Sequence, residues 1–139
     1  MTESAKTAPY VIHVHNAFKA GKHYDYRMKY LDKKLLISFA IPKEKFPVNV
    51  GDKSIAIQTN DHNVGWLFRE KLSIPKGEYG GGFIERKQYG KAKIIVWKDD
   101  FIGFVIEGDF VSGTFYLIKT DKKRTSRKDN SIWILYHKS

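Results

Sequence analysis

Apolar and polar side chains alternate with a period of two along most of this chain. YVIHVH from Tyr10 and HYDYRMKY from His23 both follow the pattern, and side chains on a strand point to opposite faces in turn, so such runs read as half-buried strands. KKLLISFAI is denser in apolar residues and reads as a core strand ended by Pro42. SIAIQT, FIERKQY, KAKIIVWK, GFVIEGD, GTFYLIK and SIWILYHK are further strand-like runs, divided by turn signals such as Leu31-Asp32-Lys33, Lys98-Asp99-Asp100 and Ser112-Gly113. NDHNVGWLFREKLSIPKGEYGGG has no sustained period and reads as a loop-rich excursion, with His62 on a loop. No segment carries a convincing amphipathic helix. The pattern predicts an all-β fold, a small closed antiparallel β-barrel of about eight or nine strands, in which closure hides the sheet edges.

Composition narrows the picture. The 139 residues fit one domain, with residues 1–9, MTESAKTAP, as a flexible lead-in and 10–139 as the folded unit. The absence of cysteine excludes a disulfide framework and a thiolate zinc site. No run is apolar enough for a signal peptide or a membrane span, so a soluble, cytoplasmic monomer is expected. Twenty-five Lys and Arg against fifteen Asp and Glu give a formal net charge of +10, which favours a polyanionic partner such as DNA or RNA. An anionic surface or a generally lysine-rich composition would account for the same charge. TDKKRTSRKDN reads as a basic hairpin loop, either solvated or in contact with nucleic acid.

The densest chemistry lies in HNAFKAGKHYDYR, from His15 to Arg27. On a strand, His23, Asp25 and Arg27 share one face while Tyr24, Tyr26 and Met28 share the other. His15 can join from a neighbouring strand across an Ala20-Gly21 turn. Two imidazoles and a carboxylate suit Mn²⁺, Fe²⁺ or Zn²⁺ and leave coordination positions open. Arg27 offers a planar fork matched to a phosphate or carboxylate. A local salt bridge among solvated polar residues is the competing reading of the same spacing.

The succession of His15, HYDYR, SFAIPK, NDH and IPKGEYGGG resembles the 3'-phosphoesterase domain of bacterial and archaeal end-joining DNA ligases, ligase D, and its stand-alone relatives, over about residues 10–136. That family removes ribonucleosides and phosphates from DNA 3' ends and leaves a 3'-hydroxyl. The resemblance implies that His15, His23 and Asp25 hold a divalent metal, Mn²⁺ first, with Zn²⁺ or Co²⁺ as alternatives. It implies catalytic roles at the scissile phosphate for Arg27 and His62, substrate binding by Lys43, and a DNA ligase or polymerase and a Ku-like protein as partners. The chain departs from the pattern in several places. His23 follows His15 by eight positions, longer than is usual in the family. Asn60 stands where an acidic residue is common, Trp66 where a tyrosine is, and Ser54 where a basic residue is. Both IPKGEYGGG and QYGKAKIIVW match the family's single Gly-Tyr-Gly turn.

Among the remaining candidates, Tyr79 reads as a packing plug over its turn and His137 as a solvated end residue. His13 faces the same way as His15 and suits a supporting role. Trp97, Trp133 and the alternating phenylalanines are assigned to the barrel core. Two other functions stay open: a nucleic-acid-binding module with a decayed site, and a metal-dependent nuclease or phosphatase acting on another substrate.

Overall fold

The alternating runs form nine antiparallel strands in the computed structural model, which describes residues 6–19, 21–78, 81–123 and 131–139. They are β1 (Thr7–Ala17), β2 (Gly21–Lys29), β3 (Leu35–Ile41), β4 (Lys53–Asn63), β5 (Lys71–Ile74), β6 (Gly82–Trp97), β7 (Phe101–Ile106), β8 (Gly113–Lys123) and β9 (Ser131–His137). The sheet runs β1-β2-β3-β4-β9-β8-β7-β6-β5, and a β1–β6 pairing closes eight of the strands into a barrel with β5 added alongside β6. The closed barrel expected from the periodicity is therefore the fold.

Inward-facing residues fill the barrel. Tyr10 and Ile12 of β1, Tyr26 and Met28 of β2, Phe39 and Ile41 of β3, Phe104, Phe115 and Trp133 belong to one buried cluster. Tyr10, Tyr26, Phe104 and Phe115 stack in sequence, with centroids 5.8, 5.3 and 5.9 Å apart. Each such pair contributes about 0.5–1.5 kcal/mol beyond the area it buries. His137 ends this column, 4.2 Å from Phe115. It is 2% exposed, and its Nδ1 lies 3.0 Å from the Pro47 carbonyl oxygen. It is not the solvated end residue expected from its position, because β9 runs between β4 and β8 rather than along an edge.

Other expectations are also corrected. β1 begins at Thr7, so Thr7, Ala8 and Pro9, read as lead-in, are strand. FIERKQY and KAKIIVWK form the single 16-residue strand β6. Tyr89-Gly90 lies within it and is not a turn, whereas residues 75–78 do turn, with Glu78 N–H donating to the Pro75 carbonyl. β4 extends through His62 to Asn63, so His62 is on a strand. The excursion after it holds a short 3-10 helix, Val64–Phe68, whose first turn is capped by the Asn63 side chain accepting from Gly65 N–H. The Tyr79 expectation, Ala20 of the first hairpin, and residues 124–130 of TDKKRTSRKDN lie outside the described residues.

A second, smaller cluster sits outside the barrel. Val11 and Leu36 on the outward faces of β1 and β3 are covered by Leu67, Val64 and Trp66 of the 3-10 helix. This packing holds the helix over one wall, formed by β1 to β4.

Gly82 sits where β1, β5 and β6 meet, paired to both Ala17 and Ile74. Its φ is +143°, and a Cβ there would lie 2.1 Å from the Asn16 carbonyl oxygen. Gly82→Ala should therefore cost about 2 kcal/mol or more, roughly 5–10 °C in Tm. Gly51→Ala, at φ +94° but in open space, should cost clearly less. Thermal unfolding of the two variants checks the contrast, and equal losses would refute the close-approach argument.

Candidate functional site

The wall under the 3-10 helix carries the polar residues. β1 pairs with β2 so that His13 opposes Asp25 and His15 opposes His23. Directly opposed residues share a face, so all four point outward, away from Tyr26 and Met28. Arg27 follows two positions after Asp25 and opposes Ser38 of β3. A bulge between β3 and β4 sets His62 opposite Leu36 and Thr59 opposite Ser38. The structure thus brings His15, His23, Asp25, Arg27 and His62 to one wall.

Asp25 is the centre of this group. It is 4% exposed, with His15 Nδ1 3.7 Å from Oδ2, His23 Nε2 3.4 Å from Oδ1, and Arg27 Nη2 3.6 Å from Oδ2. Burial alone would raise its carboxyl. Hydrogen bonding to the two imidazoles and the charge of Arg27 outweigh burial and hold it well below the usual carboxylate range. Burial likewise works to lower the His23 imidazole, but the Asp25 carboxylate overcomes it and raises the group on balance.

The ligand atoms of His15, His23 and Asp25 lie within 4.8 Å of one another. Bonds of about 2.0–2.2 Å from one cation can bridge atoms roughly 4 Å apart, so small side-chain rotations close the set. An ionised carboxylate and two imidazoles, one favouring a proton that a metal would displace, are the chemistry a divalent cation requires. The residues fit such an ion.

Arg27 is fixed on one side and left short of a partner on the other. Its Nε donates to Ser38 Oγ at 3.0 Å, and Ser38 in turn accepts from Thr59 Oγ1 at 2.8 Å. Its Nη1 is buried without a hydrogen-bond partner, and leaving a donor in that state costs about 1–3 kcal/mol. An anion at the wall would satisfy it. Trp66 packs against the same guanidinium, Cζ lying 4.8 Å from the ring centre, and edge-on to His62 and His13 with centroids 5.5 and 6.3 Å apart.

His62 lies beside Arg27, Nε2 to Nη2 3.5 Å. Its Nδ1 is 2.7 Å from the Asn60 carbonyl oxygen, which can only accept, so the neutral ring carries its proton on Nδ1 and accepts from Arg27 Nη2 at Nε2. Burial first, then the Arg27 charge, lowers its proton affinity. His13 is also lowered, chiefly by burial, and its Nε2 lies 2.8 Å from the Arg69 carbonyl oxygen, tying β1 to the segment after the helix.

Lys43 is exposed, at φ +57° just beyond β3. It takes no part in the hydrogen bonds and ion pairs that join the other five among the described residues. Sequence reasoning overlooked Ser38, the anchor of Arg27, although its outward position on β3 follows from strand alternation. It also treated Trp66 as a lost tyrosine, whereas the indole is the cover against which Arg27 and His62 pack. The Ser54 hydroxyl is used in a bond to the Lys45 carbonyl.

An all-β barrel with two imidazoles, a carboxylate and an incompletely bonded guanidinium on one wall defines a candidate phosphate-ester site. The profile of the DNA Ligase D 3'-phosphoesterase domain matches residues 13–119, and the chain belongs to that family. It is 33% identical over 125 residues to the multifunctional non-homologous end joining protein LigD of Mycolicibacterium smegmatis, an alignment that takes in 82% of this chain and 16% of the relative. The chain therefore spans a small fraction of that protein's length. Among the described residues, no helix is long and apolar enough to cross a membrane.

The His62 environment gives a signed expectation. A proton binds more weakly to the folded than to the unfolded imidazole, so the contribution to stability is complete above about pH 6.5 and shrinks as pH falls below that value. In chelator, the Tm lost between about pH 7.5 and about pH 5.5 should be smaller for His62→Gln than for wild type. Equal losses by scanning calorimetry would mean that the ring is not held neutral.

Proposed function

We propose that the protein is a metal-dependent DNA 3'-end-processing phosphoesterase, which removes a 3'-phosphate or a 3'-ribonucleoside and leaves a 3'-hydroxyl during end joining. The reading rests above all on Arg27, whose buried and unpartnered Nη1 lies beside a three-residue ligand group in a chain of this family. The surplus of ten positive charges favours a nucleic-acid substrate. On this reading residues 10–139 form one phosphoesterase domain that works with DNA inside the cell, alongside a DNA ligase or polymerase and a Ku-like protein.

His15, His23 and Asp25 would hold the cation, Mn²⁺ in the first instance. Such an ion supplies Lewis-acid polarisation of a phosphate oxygen and lowers the pKa of bound water. Arg27 takes up a non-bridging phosphate oxygen through Nη1 and holds the phosphorus in line, its own position fixed by Ser38 and Trp66. Hydrolysis joins a water oxygen to phosphorus and breaks the bond to the leaving oxygen, the 5'-oxygen of a terminal ribonucleoside and then, in a second turnover, the 3'-oxygen that held the remaining phosphate, and each must leave with a proton. His62 carries that proton. With the anionic phosphate bound, its Nε2 takes a proton from solvent, the imidazolium is steadied by the Asn60 carbonyl at Nδ1, and that proton passes to the leaving oxygen while the attacking water loses its own on the opposite side. Lys43, at the rim of the wall, contacts the flanking backbone phosphate as a mobile point charge.

Incubation with Mn²⁺ and labelled primer-templates ending in a 3'-phosphate or one 3'-ribonucleotide should give dephosphorylated or shortened ends. His23→Ala and Asp25→Ala should lose this activity by about 100-fold or more together with Mn²⁺ binding, read by titration calorimetry. His62→Ala should lose a similar factor but retain the ion. Full activity in chelator, or in His62→Ala, would sink the respective role. An inert wild type that binds DNA would leave a binding module of the same fold.

A further inference from the structure

We propose that Phe68 and Tyr89 form a stacking corner for an unpaired nucleobase of the strand whose phosphate lies at Arg27, an inference that rests on the preceding reading of that site. Phe68, the last residue of the 3-10 helix, is 64% exposed, and Tyr89, on β6, is 44% exposed. Their ring centroids are 5.9 Å apart at an interplanar angle of 51°. Two large rings meeting at an angle in solvent leave aromatic faces uncovered, and every base offers a complementary face.

The corner lies beside the candidate site. Val11 of β1 is paired with Arg27 on one side and with Tyr89 on the other, which separates the two by two strand spacings, about 10 Å. His13 bridges Asp25 and Arg86 in the same way. Trp66 makes the connection above the sheet, with Arg27 and Arg69 guanidinium carbons 4.8 and 5.0 Å from its ring centre. A base and the phosphate of its own nucleotide span such a distance.

Charge decides which part of a nucleotide fits. Phe68 borders an open groove of about 680 Å³ that also includes Arg69, Glu70, Lys71, Glu85 and Arg86. Arg86 is paired to Glu70 at 3.2 Å and leans over the Tyr89 ring at 5.5 Å. Acids and bases nearly balance there, so the groove repels no neutral base and offers little to a phosphate. The phosphates find cations elsewhere: strand alternation puts exposed Lys91 and Lys93 on the same face of β6 as Tyr89. A single strand would lay its backbone along those lysines and Arg27 and turn one base into the corner.

Fluorescence anisotropy in chelator, where no turnover occurs, tests this with two labelled probes. One is a short oligothymidylate ending in a 3'-phosphate, and the other is the same strand with an abasic terminal nucleotide. Wild type should bind the first about tenfold more tightly than the second, the usual size of a stacking contribution. The Phe68→Ala/Tyr89→Ala double variant should bind both as wild type binds the abasic strand, while Phe68→Trp and Tyr89→Phe keep the preference. Arg27→Ala should weaken both probes alike. Equal affinity of wild type for the two probes, an equal loss on both in the double variant, or no measurable binding of either would overturn the proposal. If wild type prefers the base-bearing strand but shows no end processing with Mn²⁺, the corner stands and the phosphoesterase reading falls. If ends are processed without that preference, the reverse holds.

Discussion

The register between β1 and β2 is the constraint on which the rest depends. Because side chains alternate faces, a slip of β2 by one residue would turn His23, Asp25 and Arg27 into the barrel, away from His15 on β1, and Tyr24, Tyr26 and Met28 out of it. The cost of burying these three polar groups without partners far exceeds what any contact on the wall could return. Tyr10 stacked on Tyr26 and Ile12 opposite Tyr26 hold the register from inside. The apolar packing therefore sets the geometry of the polar wall, although the two share no face.

On that wall an ionised carboxylate stays charged in near-complete burial because three nitrogen-bearing groups surround it. The arrangement leaves the opposite problem at Arg27, where one donor is buried unpaired. A buried donor without a partner is costly in a resting protein.

The barrel and the site strand were legible because their signal is local: HYDYRMKY separates polar from aromatic residues by parity alone. His62 was placed on a loop because NDHN is polar and turn-like, whereas its strand pairing is made by β3 across a bulge, which local pattern cannot reveal. Tyr89-Gly90 looked like a turn. It instead lies in mid-strand, with Gly90 opposite Tyr10 of β1. His137 looked solvated because it is followed only by Lys138 and Ser139, yet its burial follows from the position of β9 in the sheet. Lys43 comes from motif alone, and its side chain is exposed and takes no part in the bonded network among the described residues.

The place of β9 has a bearing on how the chain reaches its native state. The last strand to be made inserts between β4 and β8, and β4 in turn supports β3 and the wall behind His62. Until residues 131–137 arrive, two strand edges stay unpaired, and the β1–β6 closure joins segments about seventy residues apart. Such long-range contacts make for slow, late, all-or-none assembly. Without residues 131–137 the edges of β4 and β8 stay open, so the polar wall, although most of it is encoded near the start of the barrel, leans on a strand encoded more than a hundred residues away.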